Sequence, residues 1–130
     1  MSAISFFTTV NLPVPEAIEQ VTAALKTEGF GVLTTIDVAA TLKAKLGIEQ
    51  PPYVILGACN PQFAHQAIQQ EPEIGVLLPC NVVVRADGEG RSIVSFMDPT
   101  AVLCLVDHPD VVTLGNAVRE RLQRVAAALG

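Results

Sequence analysis

The sequence predicts an α+β domain, with a mostly antiparallel sheet of about five strands that is covered by helices and completed by a long C-terminal helix. Three observations predict this class. Apolar runs of strand length alternate with amphipathic segments along most of the chain. Two of these runs are joined by Asp87-Gly88-Glu89-Gly90, a string typical of a hairpin turn. From Pro109 onward, apolar residues recur at helical spacing nearly to the end of the chain.

The strands are predicted from runs rich in β-branched, aromatic and other apolar residues. Pro13 and Pro15 end the first run and open a helix, for which Gly29 is well placed as the terminating residue. The predicted strands are residues 5–12, 30–36, 53–58, 75–85 and 91–97.

Capping residues mark the next two helices. Asp37 follows the second strand and is placed to cap a short helix that ends at Gly47. Asn60 is the predicted N-cap of a further helix, with Pro61 at its first position, and this helix continues through Glu71.

The last helix carries a continuous apolar stripe. A stripe of this kind packs either on a sheet or on the same helix of a second subunit, and the sequence alone leaves both arrangements open. Its members are Val111, Gly115, Val118, Leu122, Val125 and Leu129.

Length and composition limit the class of protein. The 130 residues predict a single domain. Half of them are hydrophobic and only 16% are charged, so apolar surface remains after a small monomer has folded, and we expect a homodimer. The net charge of -5, without a cluster of basic residues, argues against nucleic acid as a partner. The start of the chain lacks the features of a secretory signal, and no apolar run has membrane-spanning length, so we expect a cytoplasmic protein without membrane contact.

Two Cys-Asn dipeptides are the best candidates for a functional site. Cys59-Asn60 closes the third predicted strand, and Cys80-Asn81 lies inside the fourth, directly after Pro79. The positive end of the helix that Asn60 starts favours the thiolate form of Cys59, as a nucleophile or redox sensor requires. If the returning chain brings Cys80 close, the two thiols form a reversible disulfide or share a metal. The competing interpretation is that both cysteines are inert packing residues and that the asparagines only satisfy turns and caps.

Few other residues support a reaction. His65 and His108 are the only imidazoles, and both are expected at the surface or in a turn, so a Cys-His pair is weakly supported. No four-ligand spacing suggests a structural zinc site, and we predict no metal. Asp37 and Asp98 each follow a strand, where they cap or start a turn, or line a cleft that the cysteines also border.

Four strings of the sequence carry a resemblance to a known family. They are Ile36-Asp37-Val38, Leu42-Lys43-Ala44-Lys45-Leu46-Gly47, Tyr53-Val54-Ile55-Leu56-Gly57-Ala58-Cys59-Asn60-Pro61 and Glu73-Ile74-Gly75-Val76-Leu77-Leu78-Pro79-Cys80-Asn81-Val82. Over most of the chain, from the first strand to Pro99, the sequence resembles the domain of unknown function 302 family. The resemblance implies a small bacterial or archaeal α+β domain of the TATA-binding-protein-like fold that forms a dimer; it implies neither DNA binding nor any catalytic residue.

Three functions remain open on the sequence. The first is a homodimer that binds a small molecule, without catalysis, in an apolar cleft bordered by the two Cys-Asn pairs. The second is a thiol-dependent redox protein or enzyme that uses Cys59 and Cys80. The third is a purely structural module that dimerises through the stripe of the last helix. The sequence identifies no cofactor and no ligand.

Overall fold

A computed structural model describes residues 3–130 and contains one five-stranded sheet. The strands lie in the order β1-β5-β4-β3-β2, and every neighbouring pair is antiparallel. The predicted α+β class, with its antiparallel sheet and long C-terminal helix, is confirmed. The strands are β1 (Ser5–Val10), β2 (Gly31–Asp37), β3 (Tyr53–Cys59), β4 (Cys80–Ala86) and β5 (Ser92–Met97).

Helices α1 and α5 supply the layer that covers one face of this sheet. Buried residues of both helices join those of the strands in the larger of two hydrophobic clusters. A smaller cluster lies beside it and contains Ala67, Ile74, Leu103 and Val111. The helices are α1 (Val14–Thr27), α2 (Val38–Leu46), α3 (Pro61–Gln70), α4 (Pro99–Leu103) and α5 (Pro109–Leu129).

Strand register assigns alternate side chains to two different faces. On the covered face, Leu56 pairs with Val82, which in turn pairs with Phe96, and all three are fully buried. The residues one step along each strand form a row on the other face, which we call the open face. This row is only half-buried or exposed; it runs across all five strands as Ile36, Ile55, Val83, Ser95 and Phe7.

Two predicted elements differ from the structure. The strand predicted over residues 75–85 is wrong in its first part, because a 3-10 helix occupies Pro72–Leu77 and β4 begins only at Cys80. Proline at the first position and the side chain of Glu71, which accepts a hydrogen bond from the backbone N-H of Glu73 (2.9 Å), favour a helical turn there despite the apolar composition. The expected turn at Asp98 is the N-cap of α4.

The capping predictions for the central helices are confirmed. Asp37 accepts a hydrogen bond from the N-H of Ala40 at the start of α2, and Asn60 accepts one from Phe63 at the start of α3. Helix α2 has no buried residue, and Leu46 at its end is 66% exposed. None of the apolar residues of α2 is therefore fully buried within this chain.

The stripe of α5 packs inside the subunit. Val111, Gly115, Val118, Leu122 and Val125 are all buried in the described chain. Of the two arrangements that the sequence leaves open, packing on the sheet is the one observed, so this stripe is not available for pairing with a second copy. None of the helices within residues 3–130 combines the length and apolar character that crossing a bilayer requires.

Candidate functional site

An apolar cavity lies between the two hydrophobic clusters, at the end of β3 and the start of β4. Its volume is ≈ 290 Å³, close to the lower end of the range of small-molecule sites. Ala58 and Val118 belong to the larger cluster, whereas Ala67 and Leu103 belong to the smaller one. The lining residues are Phe30, Leu33, Ala58, Cys59, Asn60, Phe63, Ala64, Ala67, Ile68, Gly75, Leu78, Pro79, Cys80, Leu103, Leu114 and Val118.

The first Cys-Asn dipeptide borders this cavity with both side chains. Cys59 is the last residue of β3, and Asn60 is the N-cap of α3, so the backbone changes direction between them. Asn60 is only 8% exposed, and its Oδ1 accepts a hydrogen bond from the N-H of Phe63 at 3.4 Å. The junction between strand and helix therefore directs a thiol and an amide to the same place.

The second dipeptide is divided between the two faces of the sheet. Cys80 pairs with Ala58 on the covered face and lines the cavity, where it is buried. Asn81 pairs with Gly57 and is exposed on the other side. Side chains alternate along a strand, so two consecutive residues inside β4 cannot both reach the cavity.

Both thiols at the cavity are held in the protonated form. Burial raises the pKa of Cys59. Burial also raises the pKa of Cys80 to about 11, with a smaller contribution from the negative charge of a nearby Cys59 thiolate. This raised pKa of Cys59 is opposite in direction to the thiolate that its position before α3 predicts, and its cause is removal from water. Both cysteines are free, as is the exposed Cys104.

Asp37 and Asp98 do not line this cavity. Asp37 is exposed at one end of β2. Cys59 pairs with Gly31, which lies at the opposite end of the same strand. Asp98 accepts hydrogen bonds from the Nε of Arg119 at 3.0 and 3.1 Å and from the N-H of Thr100. The carboxylates thus serve as helix caps, and Asp98 also forms an ion pair.

Neither histidine lines the cavity. His65 is exposed on α3, and His108 caps α5, where its Nδ1 accepts a hydrogen bond from the N-H of Asp110 (3.2 Å). Within residues 3–130, no three His, Cys, Asp or Glu side chains are grouped in a way that would hold a metal ion. The cavity therefore offers two neutral thiols, one amide and a hydrocarbon wall.

Sequence reasoning missed two contributors to this region. Gly57 lies where a side chain would collide with Pro79 and with the hydroxyl of Thr34, so a close approach of neighbouring strands depends on it. Arg121 also belongs to this region, because its guanidinium lies 5.2 Å from the centre of the Phe63 ring beside the cavity. Its position i+3 from the buried Val118 was the available signal, since that spacing places Arg121 next to the packed stripe.

Comparisons with known proteins match nearly the whole chain. The family model described as "Domain of unknown function DUF302" covers residues 6–129. A crystal structure described as an uncharacterized conserved protein DUF302 from Bacillus stearothermophilus superposes with a TM-score of 0.90 at 28% identity; the alignment covers 99% of this chain and 100% of that one.

Two curated relatives match only part of this chain, and the match covers an even smaller part of their own length. Two proteins named fluoride-specific ion channel FluC 1, from Brucella suis and Brucella abortus, are each 36% identical over 87 residues. This stretch is 66% of the present chain, but only 34% and 32% of the two channel proteins. The chain thus matches about a third of the length of these relatives.

Proposed function

Because this chain belongs to the family described as domain of unknown function DUF302, and that description assigns no activity, we propose its function from the cavity: it binds a small apolar molecule without transforming it. The observation that supports the proposal is the lining. Of sixteen lining residues, Asn60 is the one with a polar amide, and the thiols are neutral. Apolar walls with few polar groups are typical of small-molecule sites.

The size of the cavity sets the choice of probe. One non-hydrogen atom takes up about 30 Å³ if it is treated like a molecule of liquid water. A volume of ≈ 290 Å³ therefore accommodates roughly ten such atoms, which suits 1-octanol. This probe is uncharged, so its binding reports only the apolar part of the site.

Nuclear magnetic resonance with 1-octanol tests the proposal. We expect saturable shifts of the amide signals of Cys59, Phe63 and Cys80. Ala64→Leu fills part of the cavity and should weaken binding at least tenfold, whereas Ala44→Leu, the same change at an exposed position of α2, should leave binding unchanged. Absence of saturable shifts, or equal effects of the two substitutions, would reject a ligand site here.

A redox use of the two thiols is the second candidate, and it has one supporting observation. Cys59 and Cys80 border the same cavity, and Cys80 pairs across the sheet with Ala58, the residue before Cys59. The raised pKa of both thiols weighs against it, since the thiolate is the reactive form. Loss of the two thiol hydrogens on treatment with diamide, prevented by Cys80→Ala, would favour this candidate over the first.

We also propose that the protein is a homodimer that pairs through the open face. The observation that favours this surface is the cross-strand row, whose ends Ile36 and Phe7 are 50% and 49% exposed. A partly exposed row of this kind, with four apolar side chains and one serine, is typical of an interaction surface. The same row on a second copy would cover it, as in sheets that pack face to face.

Analytical ultracentrifugation distinguishes this dimer from a monomer. Ile36→Glu should dissociate the dimer, because it places a charge within the row. Thr35→Glu, an exposed neighbour whose side chain lies on the other face of the same strand, should not. A wild-type chain that sediments as a monomer at high micromolar concentration would contradict the proposal.

The match to the channel proteins concerns the kind of protein to which this domain can be joined. Fluoride conduction is named for those proteins as wholes, and about two thirds of each lies outside the match. We therefore propose that the matched stretch is a binding domain that can be joined to a membrane protein, and that it does not itself bind fluoride. A ¹⁹F titration of the present chain should show no saturable fluoride binding, and saturation would overturn this assignment.

A further inference from the structure

We infer that the ligand is an apolar acid, whose hydrocarbon part fills the cavity and whose carboxylate lies between Arg121 and Asn60. This inference rests on the proposed ligand-binding function, which it extends from size and polarity to charge. It depends on the position of one guanidinium, on the convergence of two donors and on the absence of a competing carboxylate at that guanidinium.

Arg121 differs from the other arginines of its helix. Arg119 forms an ion pair with Asp98, and Arg124 forms one with Glu28 at 2.9 Å. The guanidinium of Arg121 is half-buried, donates from Nη1 to the backbone carbonyl of Glu28 at 3.1 Å and stacks beside the Phe63 ring. Within residues 3–130 it makes no ion pair, so its positive charge is not neutralised by a side chain of the described chain.

Two hydrogen-bond donors converge above Gly29. The point at which a Cβ of residue 29 would lie is 3.0 Å from Nδ2 of Asn60 and 3.6 Å from Nη1 of Arg121. Since Oδ1 of Asn60 accepts from the N-H of Phe63, the amide presents its N-H₂ side in this direction. Glycine, which also adopts a φ of +84° here, leaves the space between the donors free of a side chain.

This pair of donors lies at the edge of the apolar cavity. Asn60, which is one of the two donors, and Phe63, whose ring lies against Arg121, both line the cavity, so the two regions share a wall. The start of α3 adds the positive end of a helix dipole on the same side. A carboxylate matches this arrangement because it accepts two hydrogen bonds and carries the opposite charge.

Because the chain is negatively charged, binding of an acid requires the positive charge of Arg121. The chain carries a net charge of -5, which disfavours an anion. The side-chain carboxylate of Glu28, whose backbone carbonyl accepts from Arg121, is already bound by Arg124. Arg121 is thus the group that would select an acid over an alcohol of the same length.

Titration calorimetry at neutral pH compares octanoate with 1-octanol and with octylammonium. We expect octanoate to bind at least tenfold more tightly than 1-octanol, and octylammonium more weakly than either, since a hydrogen bond to a charged group contributes more than a neutral one. A parallel titration with 3-phenylpropionate distinguishes the two sources of such an acid, an alkyl chain or an aromatic ring.

Arg121→Met keeps the apolar stem and removes the charge. It should abolish the preference for octanoate and leave the affinity for 1-octanol unchanged. Arg85→Met removes the same charge from an exposed position of β4, opposite Tyr53, and should preserve the preference. Should Arg121→Met fail to fold, the Nε-H signal of Arg121 in the wild-type protein gives a second readout, which octanoate should shift and 1-octanol should not.

The outcomes separate the two proposals. Binding of neither octanoate nor 1-octanol contradicts the ligand site itself. Equal binding of both, or a preference for octanoate that persists in Arg121→Met, overturns the inference about the acid while the apolar site stands.

Discussion

The two Cys-Asn dipeptides have the same sequence and opposite structural outcomes. At the junction of β3 and α3, Cys59 and Asn60 both reach the cavity, because the chain leaves the strand between them. At the start of β4, Cys80 reaches the cavity and Asn81 points to the open face. Which residues form the site is therefore decided by the backbone around each pair.

The two cysteines also differ in how deeply they are buried. Cys80 is 7% exposed, within the larger hydrophobic cluster, whereas Cys59 is half-buried at the rim. The pKa of both thiols is raised by burial, and that of Cys80 reaches about 11. Four measurements test this contrast, from the largest expected effect to the smallest.

Alkylation by iodoacetamide at pH about 8 should separate the three cysteines, since only a thiolate attacks the reagent. A pKa of about 11 in place of 9.0 reduces the thiolate fraction of Cys80 about a hundredfold, and burial slows access further. We expect the exposed Cys104 to react first, Cys59 later and Cys80 last, as followed by peptide mass spectrometry. Modification of Cys80 at the rate of Cys104 would contradict the buried environment.

The free energy of unfolding should fall as the pH rises from 9.0 toward about 11. In this window the unfolded chain has lost the Cys80 proton while the folded chain keeps it, so deprotonation favours unfolding. The fall should amount to roughly 2 kcal/mol, measured by urea denaturation at several pH values. Cys80→Ala should flatten this slope, and Cys104→Ala should retain it; parallel slopes in both variants would show that Cys80 is not the group responsible.

A pair of glycines tests the strand spacing around each dipeptide. Gly57 faces Asn81, and a Cβ there would collide with Pro79 and Thr34; Gly31 faces Cys59, and a Cβ there meets nothing within 4 Å. Gly57→Ala should therefore lower stability by roughly 1–3 kcal/mol, and Gly31→Ala should change it by less than about 0.5 kcal/mol. Equal thermal shifts for the two variants would mean that the close approach at Gly57 is relaxed in solution.

The asparagines should differ by the smallest amount. Asn60→Ala removes the N-cap of α3 and should cost about 1 kcal/mol. Asn81→Ala changes an exposed strand residue and should stay within about 0.5 kcal/mol. Chemical denaturation of both variants gives the comparison, and a larger loss for Asn81→Ala would reverse the roles that the structure assigns.

Local signals were sufficient for most of the elements. The caps at Asp37 and Asn60 and the hairpin at residues 87–90 are confirmed, since each depends on residues within a few positions of one another. Residues 75–77 were wrongly predicted as strand, because apolar composition does not distinguish a strand from a helical turn.

The site could be predicted only in part. Cys59, Asn60 and Cys80 lie at one cavity, whereas Asn81, Asp37 and Asp98 lie elsewhere. Asp37 ends β2 and Asp98 follows β5, and neither carboxylate lines the cavity. Arg121 lies 61 positions beyond Asn60 in the sequence, and no local pattern links it to Gly29 or to the cavity.

By itself, the sequence determined the α+β class, the hairpin and the helix caps, because these follow from short-range periodicity and backbone chemistry. The tertiary structure alone decided which face each strand residue occupies and that the stripe of α5 is buried within the subunit. It also decided the raised pKa of the two thiols and the meeting of Arg121 with Asn60. These properties depend on burial and on contacts between distant segments, which strand order and register establish only after the chain has folded.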